Sequence, residues 1–185
     1  MNPTMRAYVG LGSNLDCPPA QIRRALAELA QLPGSRLIGN SRFYRNPPME
    51  LPGQPEQPDY VNAVAVLDTR LPPHILLHLL LTLENRHQRV RQRRWGSRTL
   101  DLDLLLYGPL RLNRHKLTLP HPGLHLRPFV LYPLAELAPN LVIPGRGRLV
   151  QLLACCTHRG LRPLLPWRRY PFGHARRPEI TLSKP

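Results

Sequence analysis

Asp101 and Asp103 stand in the stretch RWGSRTLDLDLLLY, two acids inside a run of leucines. An ionised carboxylate in an apolar core is costly unless it is paired or bound to a cation. If this stretch is a strand, positions two apart leave the same face, roughly 6.5–7 Å apart along it. Two carboxylates so placed suit a pair of metal ions, which in phosphoryl-transfer sites sit roughly 3.5–4 Å apart. Magnesium is the natural occupant, as a hard cation that takes carboxylate, water and phosphate oxygens. The competing reading is ion pairing, because Arg86, Arg89, Arg91, Arg93, Arg94 and Arg98 crowd the approach. Those arginines suit phosphate in their own right, since a guanidinium fork holds two oxygens at once. They also suit a solvated basic loop.

The rest of the chain narrows the setting. Its 185 residues carry a net charge of +15, and apart from Lys116 and Lys184 every basic side chain but histidine is arginine. Such a balance points to nucleic acid, an anionic membrane or a phosphorylated ligand. The leucine-rich stretch near Ile75 to Leu83 is too short to span a bilayer, and no signal peptide is expected from Met1 to Asn14. Three cysteines, two of them adjacent, fit reduced thiols in the cytoplasm rather than a disulfide framework or a zinc site. His121 and His125 are separated by Pro122-Gly123, which argues against one metal-binding helix face. Gly10 and Gly12 form G-x-G without a third glycine, which reads as a plain turn.

The elements that would carry these residues alternate. Arg6 to Leu11 reads as a strand, and Asp16 before Pro18-Pro19 as a helix start. Ile22, Leu26 and Leu29 then keep helical spacing. Arg36 to Tyr44 is expected as a second strand and Asn46 to Pro58 as a long, proline-rich loop. Tyr60 to Asp68 is a third strand, with Val61, Ala63, Ala65 and Leu67 on one face and Tyr60 and Asn62 on the other. Pro72-Pro73 opens a second helix that turns Ile75, Leu76, Leu79, Leu80 and Leu83 inward. Thr99 to Tyr107 is the fourth strand, with Leu100, Leu102, Leu104 and Leu106 opposite Asp101, Asp103 and Leu105. Short helices follow near Pro128 to Leu137 and Leu149 to Cys155. Strand, helix, strand, strand, helix, strand is the split-βαβ, ferredoxin-like order. The fold class expected is α+β, one sheet with its helices on one face plus C-terminal helical elements. The opposite face then carries both acids, Tyr60 and Asn62 in the open. Residues 1–158 are expected to form the folded domain, and 159–185 a basic, proline-rich tail that is poorly ordered or loosely docked.

GLGSNL, FYRNPP, QPDYVNAV, ENRHQRVRQRRWGSRTLDLDLLLYG and LTLPHPGLHLRPFVLYPLAELAPNLVIP resemble the 6-hydroxymethyl-7,8-dihydropterin pyrophosphokinase family, from about Ala7 to about Leu153. The resemblance implies transfer of pyrophosphate from ATP to the hydroxyl of 6-hydroxymethyl-7,8-dihydropterin, with AMP released, in folate biosynthesis. It implies two Mg2+ ions on Asp101 and Asp103. Tyr60 and Phe129 match the aromatic pair around the pterin, Asn62 its hydrogen-bonding partner, and Pro47 and Met49 the adjoining loop. Arg89, Arg91 and Arg98 match phosphate-handling arginines, with Trp95 sealing the site. Glu84, Leu104, Lys116, Thr118, His121 and Arg127 match positions lining the nucleotide site. Asn46, Gln88 and Ser97 depart from the threonine, glycine and proline usual in the family, and Leu81 replaces a residue that is polar in some members. The partners expected are ATP and the hydroxymethyl dihydropterin, acted on by a cytoplasmic monomer, with no membrane and no nucleic acid. The alternative is a basic ferredoxin-like RNA-binding module whose D-x-D is only a salt-bridge site.

Overall fold

The computed structural model describes residues 3–48, 56–87, 97–157 and 160–164. Strand β1 (Met5–Ser13) is followed by helix α1 (Pro18–Leu29), β2 (Ser35–Asn40), β3 (Tyr44–Asn46), β4 (Tyr60–Thr69), α2 (Pro73–Arg86) and β5 (Asp101–Tyr107). A hairpin of β6 (Leu112–Arg114) and β7 (Leu117–Leu119) comes next, then α3 (Pro128–Leu137), the small hairpin β8 (Val142–Ile143) and β9 (Gly147–Arg148), α4 (Leu149–Ala154) and β10 (Arg162–Pro163). The main sheet runs β10-β3-β4-β1-β5, with β2 pairing the far end of β4. Its ladders are all antiparallel. The order β5-β1-β4-β2 is the split-βαβ arrangement.

The alternation in β4 holds: Val61, Ala63, Ala65 and Leu67 enter one core cluster with Ile22, Leu26 and Leu29 of α1 and Leu76, Leu80 and Leu83 of α2. Ile75, expected inward, is 40% exposed, and Glu84 takes an inward place instead. Leu76, Leu80, Leu83 and Glu84 recur at the spacing of one helical face, and Ile75 falls on its edge.

Three further expectations change. Asp16 does not cap α1. Cys17 holds the cap position without a capping side chain, and Asp16 and Cys17 both have positive φ. Pro18 and Pro19 start the helix by fixing φ. The single strand expected over Arg36 to Tyr44 is two strands, β2 and β3. Between them the Val64 N–H is taken by Ser41 Oγ at 3.0 Å, while Ser41 N donates to Val64 O. Finally, β5 does not alternate to its end. Tyr8 pairs with Leu106 but Val9 with Leu104, so the bulged strand carries one extra residue. Beyond a bulge the faces exchange. Leu106 therefore joins Leu105 in a second cluster, and Tyr107 returns to the first.

That second cluster is also where the one-sided expectation gives way. Val130, Leu131 and Leu134 of α3 and Leu149 of α4 pack on Tyr8, Val64, Val66 and Leu105, on the sheet face opposite α1 and α2. A sheet apolar on both faces must be covered on both. The C-terminal elements cover only half of this face. The half that carries Asn62, Asp101 and Asp103 stays accessible beside them.

Residues 160–164, placed in the loose tail by the sequence, instead add an edge strand. Arg162 and Pro163 pair with Arg45 and Tyr44, Leu164 N donates to Phe43 O at 2.8 Å, and Leu161 is 6% exposed. A buried leucine and a free strand edge are the reasons this segment docks. Residue 159 and residues 165–185 lie outside the described residues.

Candidate active site

A cleft of about 240 Å³ opens on the uncovered half-face. Its floor comes from a feature the sequence reading set aside. Gly10 and Gly12 are not in a turn but in β1, the central strand. Gly12 pairs with Asn62 on one side and Asp101 on the other, and Gly10 with Val64 and Asp103. Two glycines at strand spacing strip one face of side chains. The walls then stand two strand spacings apart, roughly 10 Å. The fit is close, since a Cβ on Gly12 would meet Asn62 Oδ1 at 3.1 Å. The signal was present as glycines two apart in an apolar strand.

One wall is aromatic and amide. Tyr60, Asn62 and Phe129 line the cleft, together with Asn46 and Gln57. Phe129 arrives at the first turn of α3, and the Arg127 guanidinium lies 5.9 Å from its ring centroid. Tyr60 OH donates to Gln57 Oε1 at 3.0 Å. Burial pushes the Tyr60 hydroxyl up and nearby Arg98 opposes it.

The other wall is charged. Arg98, Asp101, Asp103, His121 and Arg127 all line it. Arg98 Nη1 donates to Asp101 Oδ2 in a short ion pair. Asp103 has looser company, with Arg127 Nη1 at 3.6 Å and His121 Nε2 at 3.9 Å from Oδ2. Burial and then the Asp101 charge push the Asp103 carboxyl above its ordinary value, against His121, Arg127 and Arg98. Burial pushes His121 down, although Asp103 pulls it up. Its ring is oriented by Gly123 N, which donates to Nδ1 at 3.2 Å, and its backbone by a 2.9 Å bond to Leu105 O on the edge of β5. The two readings of the acidic pair thus divide between its members. Asp101 has a guanidinium partner, and Asp103 carries the electrostatic burden of the pair.

Asn14, at the end of the GLGSN stretch, fixes Arg98 in place. Arg98 N donates to Asn14 Oδ1 at 2.7 Å, and Asn14 N to Arg98 O at 3.0 Å. The same side chain donates from Nδ2 to Pro58 O and to Ser97 Oγ, each at 3.2 Å. Neither Asn14 nor Gln57 was singled out from sequence, because polar residues in a turn carry no local mark of what they join.

Other expected residues stand apart from the cleft. Glu84 is buried on the α2 side of the sheet, where Oε1 accepts from Leu102 N at 2.7 Å. Leu104 is in the first core cluster. Lys116 and Thr118 belong to the β6–β7 hairpin, Thr118 bonding Asn113. Pro47 sits over Gly160, where a Cβ would meet Pro47 Cδ at 2.8 Å. Met49, Arg89, Arg91 and Trp95 lie outside the described residues.

Among the described residues no group of three or more His, Cys, Asp and Glu side chains gathers to hold a metal. The donor set of Asp101 and Asp103 nevertheless suits a hard divalent cation that takes its other oxygens from a phosphorylated ligand. The repulsion by which Asp101 raises the Asp103 carboxyl is one that a bound cation would relieve.

A split-βαβ sheet with an acidic pair among arginines, facing an aromatic and amide wall across a bare floor, defines a protein that handles a phosphorylated ligand beside a flat ring. Comparison with known proteins specifies it. The sequence model of the 7,8-dihydro-6-hydroxymethylpterin-pyrophosphokinase (HPPK) family matches residues 8–139, and the chain belongs to that family. It is 47% identical over 147 residues to a 2-amino-4-hydroxy-6-hydroxymethyldihydropteridine pyrophosphokinase from Haemophilus influenzae, covering 80% of this chain and 90% of that one. A protein of the same name from Pseudomonas aeruginosa is 47% identical over 159 residues, covering 86% and 96%. A Plasmodium falciparum HPPK-DHPS structure with pteroate shares the fold, with a TM-score of 0.66 at 13% identity, covering 84% of this chain. This chain spans 43% of that longer one. These relatives lend no support to the RNA-binding alternative.

Proposed function

We propose that this chain transfers pyrophosphate from ATP to the hydroxyl of 6-hydroxymethyl-7,8-dihydropterin and releases AMP, a step of folate biosynthesis. The observation that carries the reading is the cleft itself: Tyr60, Asn62 and Phe129 on one wall, Arg98, Asp101, Asp103, His121 and Arg127 on the other, and Gly10 and Gly12 between them. The ring stacks between Tyr60 and Phe129, with Asn62 bonding its polar edge. This holds the hydroxyl toward the charged wall, where it attacks the β-phosphorus. Arg98 and Arg127 neutralise phosphate charge as it builds, and His121 donates a hydrogen bond to a phosphate oxygen from Nε2. Asp101 and Asp103 would hold Mg2+, which would supply charge neutralisation to the phosphates. Positioning and electrostatics carry most of phosphoryl transfer, so a strong base is not required. By the family pattern, Arg89 and Arg91 handle phosphates, Trp95 closes the site, and Pro47 and Met49 adjoin the ring. The same pattern matches Lys116 and Thr118 to the nucleotide site, and also Glu84 and Leu104, which are buried on the α2 side of the sheet.

The reaction belongs in the cytoplasm, where ATP is supplied, and the acting unit is the monomer. Among the described residues no helix is long and apolar enough to cross a membrane. The direct test is AMP release from ATP, dependent on both the dihydropterin and Mg2+. Purified, folded chain that releases none would overturn the reading.

Tyr60→Ala and Phe129→Ala each remove one stacking face, worth about 0.5–1.5 kcal/mol beyond the burial lost. Calorimetry should show the pterin bound roughly tenfold or more weakly in either variant, with nucleotide affinity nearly unchanged. Equal losses for both ligands would break the assignment of this wall to the ring.

Deleting residues 165–185 should leave turnover nearly unchanged, because the sheet already ends at β10. Deleting 158–185 also removes Leu161 and β10. Losing that buried leucine costs about 1.5–3 kcal/mol, so the melting temperature should fall by several degrees. A melt and an activity assay on both truncations check this, and a collapse of turnover in the shorter deletion would place the basic tail at the site.

A further inference from the structure

Asn46 lines the cleft beside Asn62, and its contacts give it a role of its own. It lies at the end of β3, diagonal to Asn62 on β4, where Tyr44 is the residue directly opposite Asn62. Asn62 Nδ2 donates to Asn46 Oδ1 at 2.6 Å. Asn46 Nδ2 in turn donates to Pro47 O at 2.8 Å. The two bonds form a relay with a direction. A carbonyl oxygen can only accept, so Pro47 O holds the NH2 end of Asn46 toward itself. Asn46 Oδ1 is then left facing Asn62, and an oxygen there admits only the NH2 end of Asn62. Asn62 Oδ1 is directed to the opposite side, above the bare Gly12, where a Cβ would lie 3.1 Å from it. If the Asn62 amide flipped, two oxygens would meet at hydrogen-bond distance, or Asn46 would flip as well and face Pro47 O with its own oxygen. The first alternative costs a hydrogen bond in a half-buried place and the second costs one in an exposed place, so the wild-type arrangement is favoured over both.

We propose that Asn46 sets the ring specificity of the cleft by locking the Asn62 amide in one orientation, so that the site accepts a 4-oxo pteridine and rejects its 4-amino counterpart. The inference rests on the pterin reading of the cleft. With Asn46 in place, Asn62 offers one acceptor, Oδ1, and one remaining Nδ2–H, in fixed order. A 4-oxo pteridine presents the complement, a donor at N3–H beside an acceptor at O4. A 4-amino pteridine presents the reverse, an acceptor at N3 beside an amino donor. Against a locked amide the reversed edge sets donor against donor and acceptor against acceptor. Against a free amide either edge can be matched by a half-turn of the side chain. Asn46 is a positioning residue in this scheme, acting through Asn62.

The test compares the affinity of the full chain for 6-hydroxymethylpterin and for 2,4-diamino-6-hydroxymethylpteridine, with Mg2+ and a non-hydrolysable ATP analogue present, at a pH where both rings are neutral. The wild type should favour the 4-oxo ring by roughly tenfold or more, the scale of a two-point amide match. Asn46→Ala removes the acceptor that holds Asn62, and the preference should shrink to about twofold or less, chiefly through tighter binding of the 4-amino ring. Asn46→Asp keeps an acceptor toward Asn62 Nδ2 and should keep the preference. A merely structural role would weaken both rings together and leave their ratio alone. The proposal is overturned if Asn46→Ala keeps the wild-type ratio, or if Asn46→Asp loses it as fully as Asn46→Ala. In those cases the wild type still binds the 4-oxo ring and the pterin reading stands. A wild type that binds neither ring overturns both.

Discussion

Asp103→Asn should cost turnover a factor on the order of a thousand and yet raise the melting temperature at neutral pH. Its carboxyl is held above the ordinary range by burial and by Asp101, so its charge is a burden on the folded state. The sign follows from proton linkage. Between the ordinary carboxyl pKa and the raised folded one, the folded state binds more protons than the unfolded, and stability falls as pH rises through that window. The advantage of Asn over Asp is therefore largest above the window and vanishes below about pH 4, where both states are protonated. Asp101→Asn should abolish turnover equally but lower the melting temperature, because it takes from Arg98 the carboxylate of a close ion pair. Both groups are about one-fifth exposed, so the loss stays near 1 kcal/mol. A melt across pH beside a Mg2+ titration of ATP binding reads both effects. An Asp103→Asn variant that still turns over with wild-type Mg2+ dependence would remove Asp103 from the metal site.

The second large effect lies outside the cleft. Glu136 of α3 is 5% exposed in its side chain and accepts from Arg42 N at 2.9 Å, from Arg42 Nε at 2.5 Å and from Tyr44 OH. Burial first, and then this carboxylate, push the Tyr44 hydroxyl far above its ordinary value. Glu136→Ala strands buried donors on the β3 side, at a cost of roughly 3 kcal/mol or more. In a domain of this size that is a fall on the order of 6–12 °C in melting temperature. Because α3 also carries Phe129 at its opposite end, ring binding should weaken more than nucleotide binding. Glu136→Gln keeps the shape and one acceptor and should lose about half as much. An Ala variant that melts like the wild type would show that the carboxylate does not tie α3 to the sheet.

What the sequence determined by itself is what repeats locally. Period two in Tyr60 to Asp68 and the helical spacing of Ile22, Leu26 and Leu29 placed β4 and α1. The D-x-D spacing put both acids on one face of β5 before any partner strand was known. A side chain's face depends only on its own backbone, so such patterns are legible without contacts. The bulge at Leu105 is not, because it arises where β5 must stay in register with β1, and Leu106 changed faces for that reason. Gly10 and Gly12 read as a turn until pairing set them between Asn62 and Asp101. The covering of half a face by α3, the approach of His121 and Arg127 to Asp103, and the bond from Asn62 to Asn46 depend on residues far apart in the chain. Sequence spacing carries the direction of a side chain. Only the packed chain decides what lies in that direction.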